Sequence, residues 1–303
     1  MIVANRLSNM KGDFNMLNVG LIGLGRMGSG VCKNLINKGY RVAVFDVDSS
    51  KLEEFKGKAN LAKDVMAVFS ESEVTFFSLP TSIQVEEITG RFLDYGVKGK
   101  TVIDLSTSFP FSTKKIYESF KKEGGSFADA SLTGSPAQAA EGKLSVVFGG
   151  DKEVFDKYKP VIDSFARAVY YMGGSGAGNM TKLANNYLAV MYNMLYAEIF
   201  PLAEKMGMDT NRLFEVLGDS GVNCPIYQSG AGRISKKDYY PTFALNLALK
   251  DMTYVKKMYE ELQVPSFMLD GGLNLLRCAK SEGLGEKDTT EVARVQRKLF
   301  GLE

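Results

Sequence analysis

Between Leu17 and Asp46 the chain reads as an apolar run, the pattern Gly23-Leu24-Gly25-Arg26-Met27-Gly28, a helical stretch marked by Met27, Val31 and Leu35, and a second apolar run closed by an acid. Nothing else in the sequence limits the fold so sharply. Three glycines at this spacing, after a strand and opening a helix, serve a tight turn, the close approach of backbone to a pyrophosphate, and the packing of helix on strand; the helix N-terminus adds oriented N–H donors. Asp46 lies near the spacing of about 20 residues at which an acid grips the adenosine ribose hydroxyls. A bare βα turn with an incidental Asp is the weaker reading of the full strand, loop, helix, strand, acid series. Gly23, Leu24, Gly25, Arg26, Met27, Gly28 and Asp46 are therefore candidate contacts to a dinucleotide. Asp46 and Asp48, with no Arg directly after the strand, repel a 2'-phosphate, which favours NAD over NADP while leaving NADP possible.

The same alternation continues to about Met172. Strand candidates are Leu17 to Ile22, Arg41 to Asp46, Val74 to Leu79, Thr101 to Leu105, Ser126 to Ala130, Ser145 to Phe148 and Ala168 to Met172, with helical patterns such as Ile116 and Phe120 between them. Successive βαβ units of this kind predict an α/β domain with a mostly parallel sheet. After the cluster Gly173, Gly174, Gly176, Gly178 only helical patterns remain. The first, roughly Asn179 to Met206, carries Leu183, Leu188, Val190, Met191, Leu195 and Ile199 on almost every side, which predicts a buried helix, kinked at Pro201. Lys182, Asn185, Asn186, Asn193 and Glu198 interrupt it too often for a membrane span. Helices are also expected around Asn211 to Leu217, Leu245 to Leu262, Phe267 to Glu282 and Thr290 to Leu299. The predicted organisation is a disordered tail over 1–16, a Rossmann-type domain over 17–178 and, joined by the long helix, an all-helical domain over 179–303, as a length of 303 residues allows. The tail, with no continuous apolar core, is expected to be neither a signal peptide nor a membrane anchor.

Composition removes whole classes of chemistry. The chain has no His, so Ser-His-Asp and Cys-His nucleophiles, His-assisted hydride transfer and His-ligated zinc or iron are excluded. Cys32, Cys224 and Cys278 never form a CxxC, so neither a zinc knuckle nor a dithiol redox motif is expected, no metal is assigned, and three unpaired thiols point to a reducing, cytoplasmic compartment. A net charge of +2 without a basic block gives nucleic acid little to bind.

Any proton carrier must then be Lys, Tyr, Cys, Asp or Glu. Tyr117-Glu118-Ser119-Phe120-Lys121 matches the YxxxK spacing of short-chain dehydrogenases, but it reads as the exposed end of an amphipathic helix before Gly124, and the glycine loop is not that family's type. The second candidate is Lys182, early in the long helix; Asn186, at i+4, shares its face. Burying an ammonium lowers its pKa toward the range useful for proton transfer. Equally, a lysine near a helix start can snorkel to water, with Asn186 an ordinary satisfied amide; spacing alone leaves both readings open.

Together these residues resemble the β-hydroxyacid dehydrogenases, the family of 3-hydroxyisobutyrate dehydrogenase, tartronate semialdehyde reductase and the glyoxylate and succinic semialdehyde reductases. The resemblance runs from about Val19 to about Arg297 and rests on four motifs in the family's order: Val19 to Gly28; Asp129-Ala130-Ser131-Leu132-Thr133-Gly134-Ser135 with Ala139 to Leu144; Gly176 to Asn186; and Phe243, Leu247, Lys250 and Asp251. It implies Lys182 as catalytic lysine and Asn186 as the substrate-orienting amide. It also implies that Thr133, Gly134 and Ser135 bind the substrate carboxylate, that Phe243, Lys250 and Asp251 close over cofactor and substrate, and that Leu79, Pro80 and Thr107 touch the dinucleotide. Ser131 and Ser135 stand where the family's DAPVSGG has Pro and a second Gly, which leaves the pocket's shape open.

The expected activity is hydride transfer between NAD and a small β-hydroxy acid or its semialdehyde, in a homodimer or homotetramer with a cleft site. The alternatives are an NADPH-dependent tartronate, glyoxylate or succinic semialdehyde reductase and a noncatalytic dinucleotide-binding scaffold.

Overall fold

The computed structural model describes residues 17–303, so the tail expected over 1–16 lies outside the described residues. The chain divides into two compact units, the first ending at Lys182 and the second running Leu183–Glu303. In the first, β1 (Asn18–Ile22), α1 (Gly28–Asn37), β2 (Arg41–Phe45), β3 (Asn60–Leu61), α2 (Val65–Glu71), β4 (Val74–Phe77), α3 (Ser82–Tyr95), β5 (Thr101–Asp104), α4 (Pro110–Lys122), β6 (Ser126–Thr133), α5 (Pro136–Ala140), β7 (Leu144–Gly149), α6 (Lys152–Ile162) and β8 (Ala166–Gly173) follow one another. The strands form one sheet in the order β3-β2-β1-β4-β5-β6-β7-β8. Neighbours are parallel except β6 and β7, which the short α5 connection joins as an antiparallel pair.

Strand order reverses between β1 and β4, so their carboxyl ends open a topological switch point, where sheets of this kind bind ligands. Alternating side chains build a core on each face. Leu21, Val44, Phe76, Ile103 and Ala128 pack on one side with Val31, Cys32 and Leu35 of α1. Ile22, Ala43, Phe77, Val102 and Phe127 pack on the other with Phe69 and Phe92. Cys32 is fully buried in the first of these cores, and burial pushes its thiol up to about 12.

Helix α7 (Ala177–Lys205) crosses from the first unit into the second and runs through Pro201 without ending. The second unit continues with α8 (Thr210–Gly218), a π-helical turn at Tyr227–Ala231, α9 (Gly232–Lys236), α10 (Leu245–Glu261), α11 (Leu269–Ser281) and α12 (Ala293–Leu299). The expectation that α7 is buried all round is corrected. Leu183, Val190, Met194, Ala197 and Phe200 are buried, whereas Leu188, Tyr192, Leu195, Ile199 and Leu202 are exposed. The exposed set recurs at alternating steps of four and three, a single apolar seam on one side. The helix expected over Thr290 to Leu299 begins instead as a 3-10 turn at Thr289–Val292, with Asp288 capping it by accepting from the Thr290 N–H.

Candidate functional site

The glycine loop follows β1 directly. Gly23 has φ 99°, and a Cβ there would lie 2.2 Å from the Ser78 carbonyl; a Cβ on Gly28 would lie 2.0 Å from the Gly23 carbonyl. Both glycines are demanded by the turn itself. Gly25 differs: a Cβ there meets nothing within 4 Å. The open side of Gly25, beside the first N–H groups of α1, fits the close approach of a pyrophosphate. Arg26 is exposed and Met27 half-buried.

Asp46, directly after β2, accepts from the Leu24 N–H at 2.7 Å and from the Asp48 N–H at 2.9 Å, so its carboxylate is held in a fixed orientation. Lys51, from the turn after β2, brings its ammonium to 3.4 Å from Asp46 and 3.9 Å from Asp48. Sequence reasoning looked for Arg immediately after the strand and missed this cation five residues on.

Leu79 and exposed Pro80 follow β4; the Leu79 N–H donates to Ser106 Oγ at 2.9 Å. Half-buried Thr107 follows β5 in the next loop, whose turn Asp104 holds by accepting from Ser106 N–H at 2.9 Å and Ser108 Oγ at 2.7 Å. Half-buried Thr133 ends β6, and Gly134 adopts φ 137°. Ser135 is engaged locally: it forms a capping box with Gln138, donating its N–H to the Gln138 side chain at 2.8 Å and accepting the Gln138 N–H on its hydroxyl at 3.3 Å. Ser131 points inward, fully buried, with its hydroxyl within bonding distance of Ser106 O at 3.0 Å and Asn179 Oδ1 at 2.8 Å.

Those bonds join the start of α7. Asp129 of β6 accepts from Gly176 N–H and Asn179 N–H, each at 2.7 Å. Asn179, wholly buried, also accepts from Ser108 N–H at 2.9 Å and donates to Thr113 Oγ1 at 3.0 Å. Burial pushes the Asp129 carboxyl up to about 7 even though the two N–H bonds and others pull it down. Lys182, half-buried, lies three residues beyond Asn179.

Asn186, on the Lys182 face of α7, is buried and donates its amide to Asp251 of α10 at 2.7 Å. Lys250 lies 3.3 Å from the other Asp251 oxygen, with side-chain exposures of 16% and 3%, so this is no surface pair. Phe243, half-buried, is held by its backbone: its N–H donates to Asp288 at 3.0 Å and its carbonyl accepts from Thr289 N–H at 2.9 Å. Asp288 also pairs with buried Arg233 at 2.7 Å.

Tyr117 and Lys121 do meet at 2.6 Å, but as a surface group in which Tyr117 donates to Asp151 at 2.6 Å and the lysine side chain is 61% exposed. Among the described residues no group of three or more Cys, Asp or Glu could hold a metal ion, and no helix is long and apolar enough to cross a membrane.

Residues 18–174 match the family model of the NAD binding domain of 6-phosphogluconate dehydrogenase, and residues 176–296 match that of the NAD-binding domain of NADP-dependent 3-hydroxyisobutyrate dehydrogenase. The chain is 30% identical over 241 residues to 2-hydroxy-3-oxopropionate reductase of Escherichia coli, covering 78% of this chain and 82% of that protein. It is 27% identical over 291 residues to 2-(hydroxymethyl)glutarate dehydrogenase of Eubacterium barkeri, covering 94% and 97%. In fold it is similar to a Mycobacterium tuberculosis 3-hydroxyisobutyrate dehydrogenase solved with L-serine, at a TM-score of 0.84 and 23% identity over 93% of this chain and 99% of that one.

Proposed function

The chain belongs to the β-hydroxyacid dehydrogenase family, and on that premise we propose that it uses Lys182 as general acid and base in reversible hydride transfer between NAD and a small β-hydroxy acid or its semialdehyde, 3-hydroxyisobutyrate-like in class. It is an NAD(P)-dependent oxidoreductase. The observation that carries the lysine assignment is local: Lys182 shares a helical face with an amide, Asn186, that is buried and already oriented by Asp251.

A nicotinamide cofactor held by the Gly23–Gly28 loop and Asp46 would supply the hydride acceptor and donor. Residues 17–178 form the cofactor domain and 179–303 the helical substrate domain in this reading. Thr133 and the Gly134 backbone hold the substrate carboxylate, as N–H groups in a turn suit an anion. Neutral Lys182 takes the hydroxyl proton at Nζ as the carbon loses hydride; in reduction its ammonium gives the proton back. The Asn186 amide nitrogen carries two N–H donors; one serves Asp251 and the second is left for the substrate oxygen. Phe243, Lys250 and Asp251 act from α10 and the turn before it. The test is an absorbance assay at the nicotinamide band with a panel of hydroxy acids. Lys182→Ala is expected to lose far more than about tenfold in rate, ~1.4 kcal/mol; a smaller loss removes the assignment.

A second reading, NADPH-dependent reduction of tartronate, glyoxylate or succinic semialdehyde, is favoured by the Lys51 ammonium beside Asp46, which offsets the charge that repels a 2'-phosphate. Preference for NADPH over NADH in that assay decides for it. A noncatalytic scaffold has no use for the Lys182 and Asn186 pair. The apolar seam Leu188, Tyr192, Leu195, Ile199 and Leu202 supports burial against a second copy, hence a homodimer or homotetramer; a monomer by light scattering refutes this. Three free thiols support a cytoplasmic setting.

A further inference from the structure

We infer that Asp129 is a positioning residue for Lys182: its carboxylate, seated on the sheet, fixes the first turn of α7 and with it the direction in which the lysine leaves the helix. This rests on the assignment of Lys182 as the proton carrier. The observations lie wholly within the first unit. Asp129 stands in register with Asp104 of β5 and Gly149 of β7. One carboxylate oxygen accepts from Gly176 N–H and the other from Asn179 N–H, so the plane of the group, and not only its position, is tied to the helix start. These are among the N–H groups that a helix cannot satisfy from within.

The helix start is pressed onto the sheet at this point. A Cβ on Gly178 would lie 2.5 Å from the Val147 carbonyl, and one on Gly149 would lie 2.7 Å from the Gly178 nitrogen. Asn179 then locks the rotation of the turn through Ser108, Ser131 and Thr113. Lys182 follows three residues later, so a small rotation of this turn swings its Nζ by a larger distance. A displacement of about 1 Å at a reacting group costs on the order of 10²-fold in rate.

A buried carboxylate is an expensive way to hold a helix, and burial pushes this one up to about 7. A neutral amide is cheaper to bury, but it presents one acceptor oxygen where two N–H groups converge. Among the charged groups on the packed elements, Asp104 of β5 pushes the carboxyl up further, Lys114 of α4 lies beside Gly176 and Lys182 follows on α7; β7 contributes none at Phe148 and Gly149. Ionisation near neutrality therefore tightens the turn, and kcat should carry an acid limb that belongs to Asp129.

The test compares Asp129→Asn with Lys182→Ala in the full-length protein. For Asp129→Asn the expected result is a kcat lowered about 10- to 100-fold, a KM for NAD within about twofold, and loss of the acid limb near neutral pH. An unchanged kcat with the limb retained, while Lys182→Ala is inactive, overturns the inference and leaves the lysine assignment standing. Retained rate in Lys182→Ala removes that assignment and the inference with it. Should Asp129→Asn not fold, the wild-type amide resonances of Gly176 and Asn179 give the answer. A common titration midpoint that coincides with the acid limb in kcat supports the inference, and midpoints that differ from it overturn it.

Discussion

Asn186 of α7 donates its side-chain amide to Asp251 of α10 at 2.7 Å, and the two residues are only 7% and 2% exposed. This bond joins residues 65 positions apart and fixes the amide nitrogen, not the oxygen, toward Asp251. Asp251→Asn replaces an acceptor with a group that can turn either way, so the Asn186 amide loses its fixed orientation. The expected outcome in steady-state kinetics is a fall in kcat of about 10- to 100-fold, with melting lowered by the ~1–3 kcal/mol of a weakened buried hydrogen bond. Unchanged kcat removes Asp251 from the site.

The glycine loop separates two kinds of requirement. Gly28→Ala puts a methyl 2.0 Å from the Gly23 carbonyl and should unfold the loop, visible as a lowered Tm. Gly25→Ala puts a methyl in open space, so Tm should hold. Cofactor approach is what it blocks, and the KM for NAD should rise on the order of tenfold, ~1.4 kcal/mol. A Gly25→Ala enzyme with wild-type KM shows that no pyrophosphate passes there.

Asp46 and Lys51 lie 3.4 Å apart, and in the proposed reading the balance of their charges sets the choice between NAD and NADP. Lys51→Ala leaves the carboxylate charge unopposed and should reduce use of NADP more than use of NAD. The ratio of kcat/KM for the two cofactors is the measurement, and a ratio that does not move assigns Lys51 no part in the choice.

Two buried aspartates should respond to pH in opposite senses. Asp129 has its folded carboxyl raised to about 7, against about 3.9 unfolded. The native state therefore holds a proton that the unfolded chain releases, and stability falls as pH climbs through that window. Asp129→Asn should flatten the decline of Tm from pH 5 to pH 8.

Asp288 is also subject to burial, which raises its carboxyl, but bonds from Thr290, Thr242 and Phe243 outweigh that and hold it below the usual range. Its contribution is present above the unfolded value and is lost as pH falls through the lowered one. Asp288→Ala leaves Arg233 buried without its carboxylate, a loss of roughly 3–5 kcal/mol measurable by urea unfolding. A loss below ~1 kcal/mol refutes the clamp on Phe243.

The alternation of strand and helix, the glycine loop and Asp46 were legible because each is written in adjacent residues, and sheet and core follow from period-two side-chain patterns. What escaped was written across distance. Asp129 finds Asn179 only because β6 lies under the start of α7, and Lys51 reaches Asp46 only because the chain turns back after β2. The all-round apolar pattern of α7 gave no sign of which side its neighbours would cover. By contrast, Lys121 reaches Tyr117 on the exposed side of α4, as the amphipathic pattern of that helix already indicated. Ser131, suspected of reshaping the pocket, is instead buried and bonded to Asn179.

Cys32, sealed in the core with its thiol pushed up to about 12, gives the chain a built-in clock. While the first unit is folded, an alkylating reagent meets neither an accessible sulfur nor a thiolate at that position. Labelling of Cys32 therefore counts opening events of the sheet domain one molecule at a time, whereas exposed Cys278 records only reagent dose. The ratio of the two adducts, read by mass spectrometry, becomes a lifetime for the cofactor domain that needs no probe the sequence does not already contain.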